Sequence, residues 1–124
     1  MIAATSVPFF KDLAQYDFDN ANHDFHNDYS FEKLSYASGL LRLVFKSLIG
    51  RNQLSLMFTD VNIMTIDFFN VNDVENLTLD ILYRGRAEVN GALIERLEDG
   101  RGYFYLEFYE GQTLEFWATG FYLE

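Results

Sequence analysis

Both histidines of the chain fall in one short run, His23-Asp24-Phe25-His26-Asn27-Asp28. Imidazoles three residues apart, with carboxylates between them, are donor types that hold zinc or a similar divalent ion. On one turn of helix they would converge. The surrounding stretch, residues 17–28, is instead rich in Asp and Asn, which favour loops. No third, distant ligand declares itself. The run therefore reads as a solvated loop, with no metal and no cofactor. Nucleophilic chemistry fares no better. Ser30 and Ser35 lie near the histidines, but no Gly-x-Ser-x-Gly elbow surrounds either. A glycine-rich phosphate loop and a dinucleotide fingerprint are also missing. With 19 Asp and Glu, close carboxylate pairs arise by chance and argue only weakly for glycoside hydrolysis. The chain reads as a non-enzyme.

A basic island, Tyr83-Arg84-Gly85-Arg86, interrupts the acidic sequence. Two arginines beside a glycine can grip a carboxylate or phosphate bidentately. Acidic neighbours such as Asp80 and Glu88 favour a structural role, pairing that holds a chain reversal.

Recognition chemistry has a better candidate. In Tyr103-Phe104-Tyr105-Leu106-Glu107-Phe108-Tyr109 the residue types alternate. As a strand, it turns Phe104, Leu106 and Phe108 to one side and Tyr103, Tyr105, Glu107 and Tyr109 to the other. The following Thr113-Leu114-Glu115-Phe116-Trp117-Ala118 repeats the pattern, with Glu115 and Trp117 on the polar side. Glu110-Gly111-Gln112 between them signals a hairpin. Such a turn would set Tyr109 close to Thr113 and Tyr105 near Trp117. Tyr103, Tyr105, Glu107, Tyr109, Glu115 and Trp117 then form a solvent-facing patch suited to a protein partner. The competing reading packs these rings into the core.

Period-two alternation also dictates the rest of the body. Leu41, Leu43 and Phe45 form one inward set, and Leu54, Leu56 and Phe58 a second. Strands are further expected over residues 31–36 and 62–68. Turns fall at Ala37-Ser38-Gly39, Ile49-Gly50-Arg51-Asn52, Asn90-Gly91 and Asp99-Gly100. Residues 72–85 fit either a helix capped by Asn72 and Glu75 or a strand of Leu77, Leu79, Ile81 and Tyr83. A short helix is expected at the N-terminus, with Pro8 in its first turn. The fold class is mainly β, or α+β if 72–85 is helical. Connections are too short for repeated parallel crossovers, which leaves an antiparallel sheet or a two-sheet sandwich. One domain spans 1–124, with 1–28 a helix-and-loop lead-in.

Composition narrows the function classes. The formal charge is −10, from 19 acidic and 9 basic residues. Such a surface repels nucleic acid and anionic membranes and favours a basic protein partner. The absence of cysteine excludes disulfides and thiolate chemistry and fits a reducing, cytoplasmic setting. The N-terminal residues lack the basic and apolar regions of a secretory signal. In size, charge and layout the whole chain resembles the immunity proteins encoded beside bacterial polymorphic or contact-dependent toxins. No motif carries that likeness, so it transfers no residue roles. It implies a cytosolic inhibitor that blocks a toxin. The alternatives are a β domain holding a small apolar or sugar ligand between its sheets, and a metal-assisted hydrolase using His23 and His26.

Overall fold

The structure, a computed structural model, describes residues 1–18, 21–68, 76–85, 88–93 and 100–124. It is built almost wholly from strands. In chain order, β1 (Ile2–Ala3) runs into a 3-10 turn at Ala4–Ser6, followed by β2 (Gln15–Phe18) and β3 (Ala21–Asp24). Next come β4 (Tyr29–Ala37), β5 (Leu40–Ser47), β6 (Gln53–Thr59) and β7 (Asn62–Asp67). They are followed by β8 (Leu79–Arg84), β9 (Glu88–Val89) and β10 (Ala92–Leu93). The chain ends with β11 (Gly102–Phe108), β12 (Thr113–Ala118) and β13 (Gly120–Leu123).

Two antiparallel sheets dominate. The first has the order β1-β13-β6-β5-β4, and the second β7-β12-β11-β8. Their facing sides meet through aromatic rings. Phe58 of β6 lies 5.2 Å from Phe104 of β11 and 4.8 Å from Phe116 of β12. Phe31 of β4 lies 4.7 Å from Phe108. These are the offset and edge geometries that ring quadrupoles prefer. Every inward residue expected from alternation in β5, β11 and β12 is buried, as are Leu56 and Phe58 of β6, while Leu54 is half-buried. The mainly antiparallel β fold is thus the one that period-two patterning implies.

The chain changes sheets between β12 and β13. Thr119 marks the corner, with its N–H donating to Thr59 O at 3.0 Å. The next residue has to be glycine. A Cβ on Gly120 would meet the Ile2 carbonyl oxygen at 2.7 Å, so a side chain would push β1 off the sheet. At the β4–β5 hairpin, Ser38 and Gly39 both take positive φ, 51° and 78°, as a tight two-residue turn requires. The turns expected at 49–52, 90–91 and 110–112 are also present. Asp99 of the Asp99-Gly100 pair lies outside the described residues.

Three local expectations need correction. The N-terminal helical turn precedes Pro8 rather than containing it. Past Val7 the chain straps the edge of β8, through Phe10 N–H to Arg84 O (2.9 Å) and Leu13 N–H to Leu82 O (2.6 Å). Residues 25–28 form a turn, as the loop reading expects, but 17–18 and 21–24 are not loop. They contribute to the β2–β3 hairpin, whose polar residues satisfy one another across the strands, as in Asn22 Nδ2 to Asp17 Oδ1 at 3.0 Å. Phe18 and Phe25 are buried beneath it. Finally, 79–84 is a strand, so the helical reading fails for that part of 72–85. Residues 72–75 lie outside the described set. A one-residue bulge at Asp80 explains the ambiguous pattern. Leu79 pairs with Phe108 and Ile81 with Glu107, so the inward parity changes between Leu79 and Leu82.

Candidate functional site

The aromatic and acidic residues singled out above lie on the outer face of the second sheet. Register fixes their neighbours. Tyr103 pairs with Trp117, Tyr105 with Glu115, and Glu107 with Thr113. The hairpin is therefore offset by two residues from the expected register, and Tyr103, not Tyr105, sits opposite Trp117. Across the other edge of β11, Tyr105 pairs with Tyr83 and Glu107 with Ile81.

These rings contact one another closely. Tyr103 meets Trp117 edge-on, with centroids 5.0 Å apart. The Arg101 guanidinium lies 6.0 Å from the Trp117 ring centroid, within cation–π range. Tyr83 covers Tyr105 at 5.4 Å, and Phe10 meets Tyr83 at 5.5 Å. The Tyr105 hydroxyl donates to Glu107 Oε2 at 2.9 Å. The consequence overturns part of the solvent-facing expectation. Trp117 is only 4% exposed and Tyr105 only 6%. Flat rings on adjacent strands bury each other's faces, so sharing the outer side does not leave them open to water. Tyr109 is 74% exposed in the hairpin turn, and Tyr103, Glu107 and Glu115 are half-buried. The turn is pinned to the start of β8. Tyr109 N–H donates to Thr78 O, and Thr78 N–H to Glu110 Oε1, each at 2.8 Å.

Tyr83, Phe10 and Arg101 were not picked out from the sequence as members of this face. For Tyr83 a signal existed in the alternation of 77–83, obscured by the bulge. Phe10 arrives only because the N-terminal strap crosses β8. Its φ of 59° is unusual for a bulky residue and is held by the bond to Arg84 O.

Arg84 turns away from this face. It is buried, and its Nη1 donates to Thr5 O at 2.9 Å and Val7 O at 2.8 Å, with Phe9 stacked 4.4 Å from the guanidinium. These backbone carbonyls give Arg84 a structural role, tying the N-terminal segment to β8. Arg86 lies outside the described residues.

The histidine run serves the fold as well. The His23 ring lies among Phe18, Phe25 and Tyr29. His26 Nδ1 is 2.8 Å from the Leu79 carbonyl, so that nitrogen carries the proton in this contact. Asp80 Oδ1 is 4.0 Å away, too far for a hydrogen bond. Asp24 closes the turn by accepting from His26 N–H, Asn27 N–H, Asn27 Nδ2 and Gln15 Nε2. Burial pushes its carboxyl pKa upward, but these four donors outweigh that and leave it below the usual value. Among the described residues, no three His, Cys, Asp or Glu side chains are placed to hold one metal ion. No described helix is long and apolar enough to cross a membrane.

No family model and no curated protein matches this sequence.

Proposed function

We propose that this chain is a non-enzymatic, acidic protein-binding domain of the immunity-protein kind, which neutralises a basic toxin domain. One observation carries the reading. The outer face of the second sheet sets Glu107 and Glu115 around a tyrosine–tryptophan ledge, in a chain of net charge −10. The acidic field would steer a basic partner, raising its association rate more than its final affinity. Accessible aromatic area at Tyr109, Tyr103 and Tyr83 would supply short-range contacts. Trp117 and Tyr105 act beneath them, holding the ledge rigid so that little side-chain entropy is lost on docking.

The test is co-purification from native lysate, followed by kinetics with whatever binds. Glu107→Lys combined with Glu115→Lys should slow association and flatten its salt dependence. Tyr109→Ala should speed dissociation. Partners that bind the charge-reversed chain at the unchanged rate would refute this face as the binding surface.

A further inference from the structure

The second sheet is strapped along β8 by the N-terminal segment. The opposite side of the sandwich is different. There the outer strands are β4 of the first sheet and β7 of the second. Five of the six residues of β7 are exposed. Between the two strands lies an apolar cleft of about 210 Å³, lined by Phe31, Lys33, Leu34, Ile66 and Phe68. Phe31 is buried against Phe108, Leu34 and Phe68 are half-buried, and Ile66 is 45% exposed. Each end of β4 is tied to a residue that precedes a strand of the second sheet, Val61 before β7 and Leu77 before β8. Tyr36 Oη donates to Val61 O at 2.7 Å, and Phe31 N–H donates to Leu77 O at 2.8 Å.

Both strands carry a one-residue bulge here. Glu32 is the extra residue in β4, between the Phe31–Phe45 and Lys33–Val44 pairs. Met64 is the extra residue in β7, between the Thr65–Glu115 and Ile63–Phe116 pairs. Bulges interrupt an edge and re-aim its side chains. They work against continuous strand addition and favour a compact guest.

Size and charge define that guest. The cleft is smaller than the roughly 300–1,000 Å³ typical of drug-sized ligand sites. It suits one ring or a short alkyl chain. Lys33 stands exposed at its rim and is the one charged side chain among the described lining residues. At physiological salt, charges beyond about 8 Å are largely screened, so the Lys33 ammonium acts on a guest in the cleft mainly at short range.

We propose that this cleft binds a small amphipathic carboxylate. The ring or chain inserts between Phe31, Leu34, Ile66 and Phe68, and the carboxylate meets the Lys33 ammonium. The proposal concerns a separate surface and does not rest on the protein-binding reading.

The experiment titrates the full chain with 3-phenylpropionate and, separately, with its near-isosteric cation 3-phenylpropylammonium at matched ionic strength. Methyl NMR signals of Leu34 and Ile66 are followed. The carboxylate should give saturable shifts at these methyls, and the ammonium much weaker ones. Lys33→Gln should weaken carboxylate binding roughly two- to fivefold, the scale of one partly exposed ion pair. Lys33→Glu should weaken it further. Lys33 is exposed, and unchanged signals elsewhere would verify that both variants fold. No saturable shift, equal binding of the two probes, or unchanged affinity in Lys33→Glu would each overturn the proposal.

Discussion

Trp117→Ala separates a structural ring from a contact ring. The side chain is 4% exposed, edge-on to Tyr103 at 5.0 Å and beneath Arg101. Truncating a buried Trp typically costs about 3–5 kcal/mol. The Trp117 site lies on the outer side of one sheet, where Tyr103 and Arg101 can partly collapse into the space. The lower end, about 3 kcal/mol, is therefore expected. Of this, about 0.5–1.5 kcal/mol belongs to the ring pair and should appear as coupling in a cycle with Tyr103→Leu. Urea unfolding followed by circular dichroism measures the loss. A domain of this size usually has about 5–15 kcal/mol of stability, so the variant should still fold. Because Trp117 is the only tryptophan, acrylamide quenching of the parent reports its burial directly and should be weak. Tyr109→Ala, at a 74% exposed residue, should change stability by less than about 0.5 kcal/mol. Free quenching, together with a stability loss near zero for Trp117→Ala, would refute the buried ledge and return Trp117 to the surface.

Further outcomes are expected. Phe104→Ala, fully buried and stacked on Phe116 with an interplanar angle of 18°, should cost roughly 3–5 kcal/mol in the same urea assay; a loss below 1 kcal/mol would contradict the inward assignment. Arg84→Met keeps the apolar stem but removes the donors to Thr5 O and Val7 O. It should cost about 1.5–3 kcal/mol or more and speed hydrogen exchange at the Phe10 and Leu13 amides, and unchanged exchange there would disprove the strap. Asp24 has a depressed carboxyl pKa, so its stabilising effect is present above the unfolded-state carboxylate pKa. That effect is lost as pH falls through the lower folded-state value. The stability deficit of Asp24→Asn should therefore be full at pH 7 and vanish in strong acid, whereas a deficit independent of pH would show that the carboxylate charge is not the cause.

Much of the fold was legible from local pattern alone. Alternation in 41–45, 54–58, 104–108 and 114–116 is sufficient to specify strands and their inward faces, because side chains in a strand point to opposite sides at every step. Glycine-bearing turns at 39, 91 and 111 are equally local. Single-residue interruptions were not legible. The bulge at Asp80 changes parity within 77–83, so that stretch fits a helix nearly as well as a strand. The β2–β3 hairpin hides behind Asp and Asn because these loop-favouring side chains are here satisfied by pairing across the two strands. The same limit governs the candidate site. Strand parity assigned Tyr103, Tyr105, Glu107, Glu115 and Trp117 to one face. Only tertiary pairing decided which of them water reaches, because burial on a sheet surface depends on what the neighbouring strands supply. Tyr83 arrives from β8 to cover Tyr105, and Tyr103 and Arg101 shield Trp117. The cleft beside Lys33 is likewise a property of two edge strands distant in sequence, and only the folded sandwich brings them together.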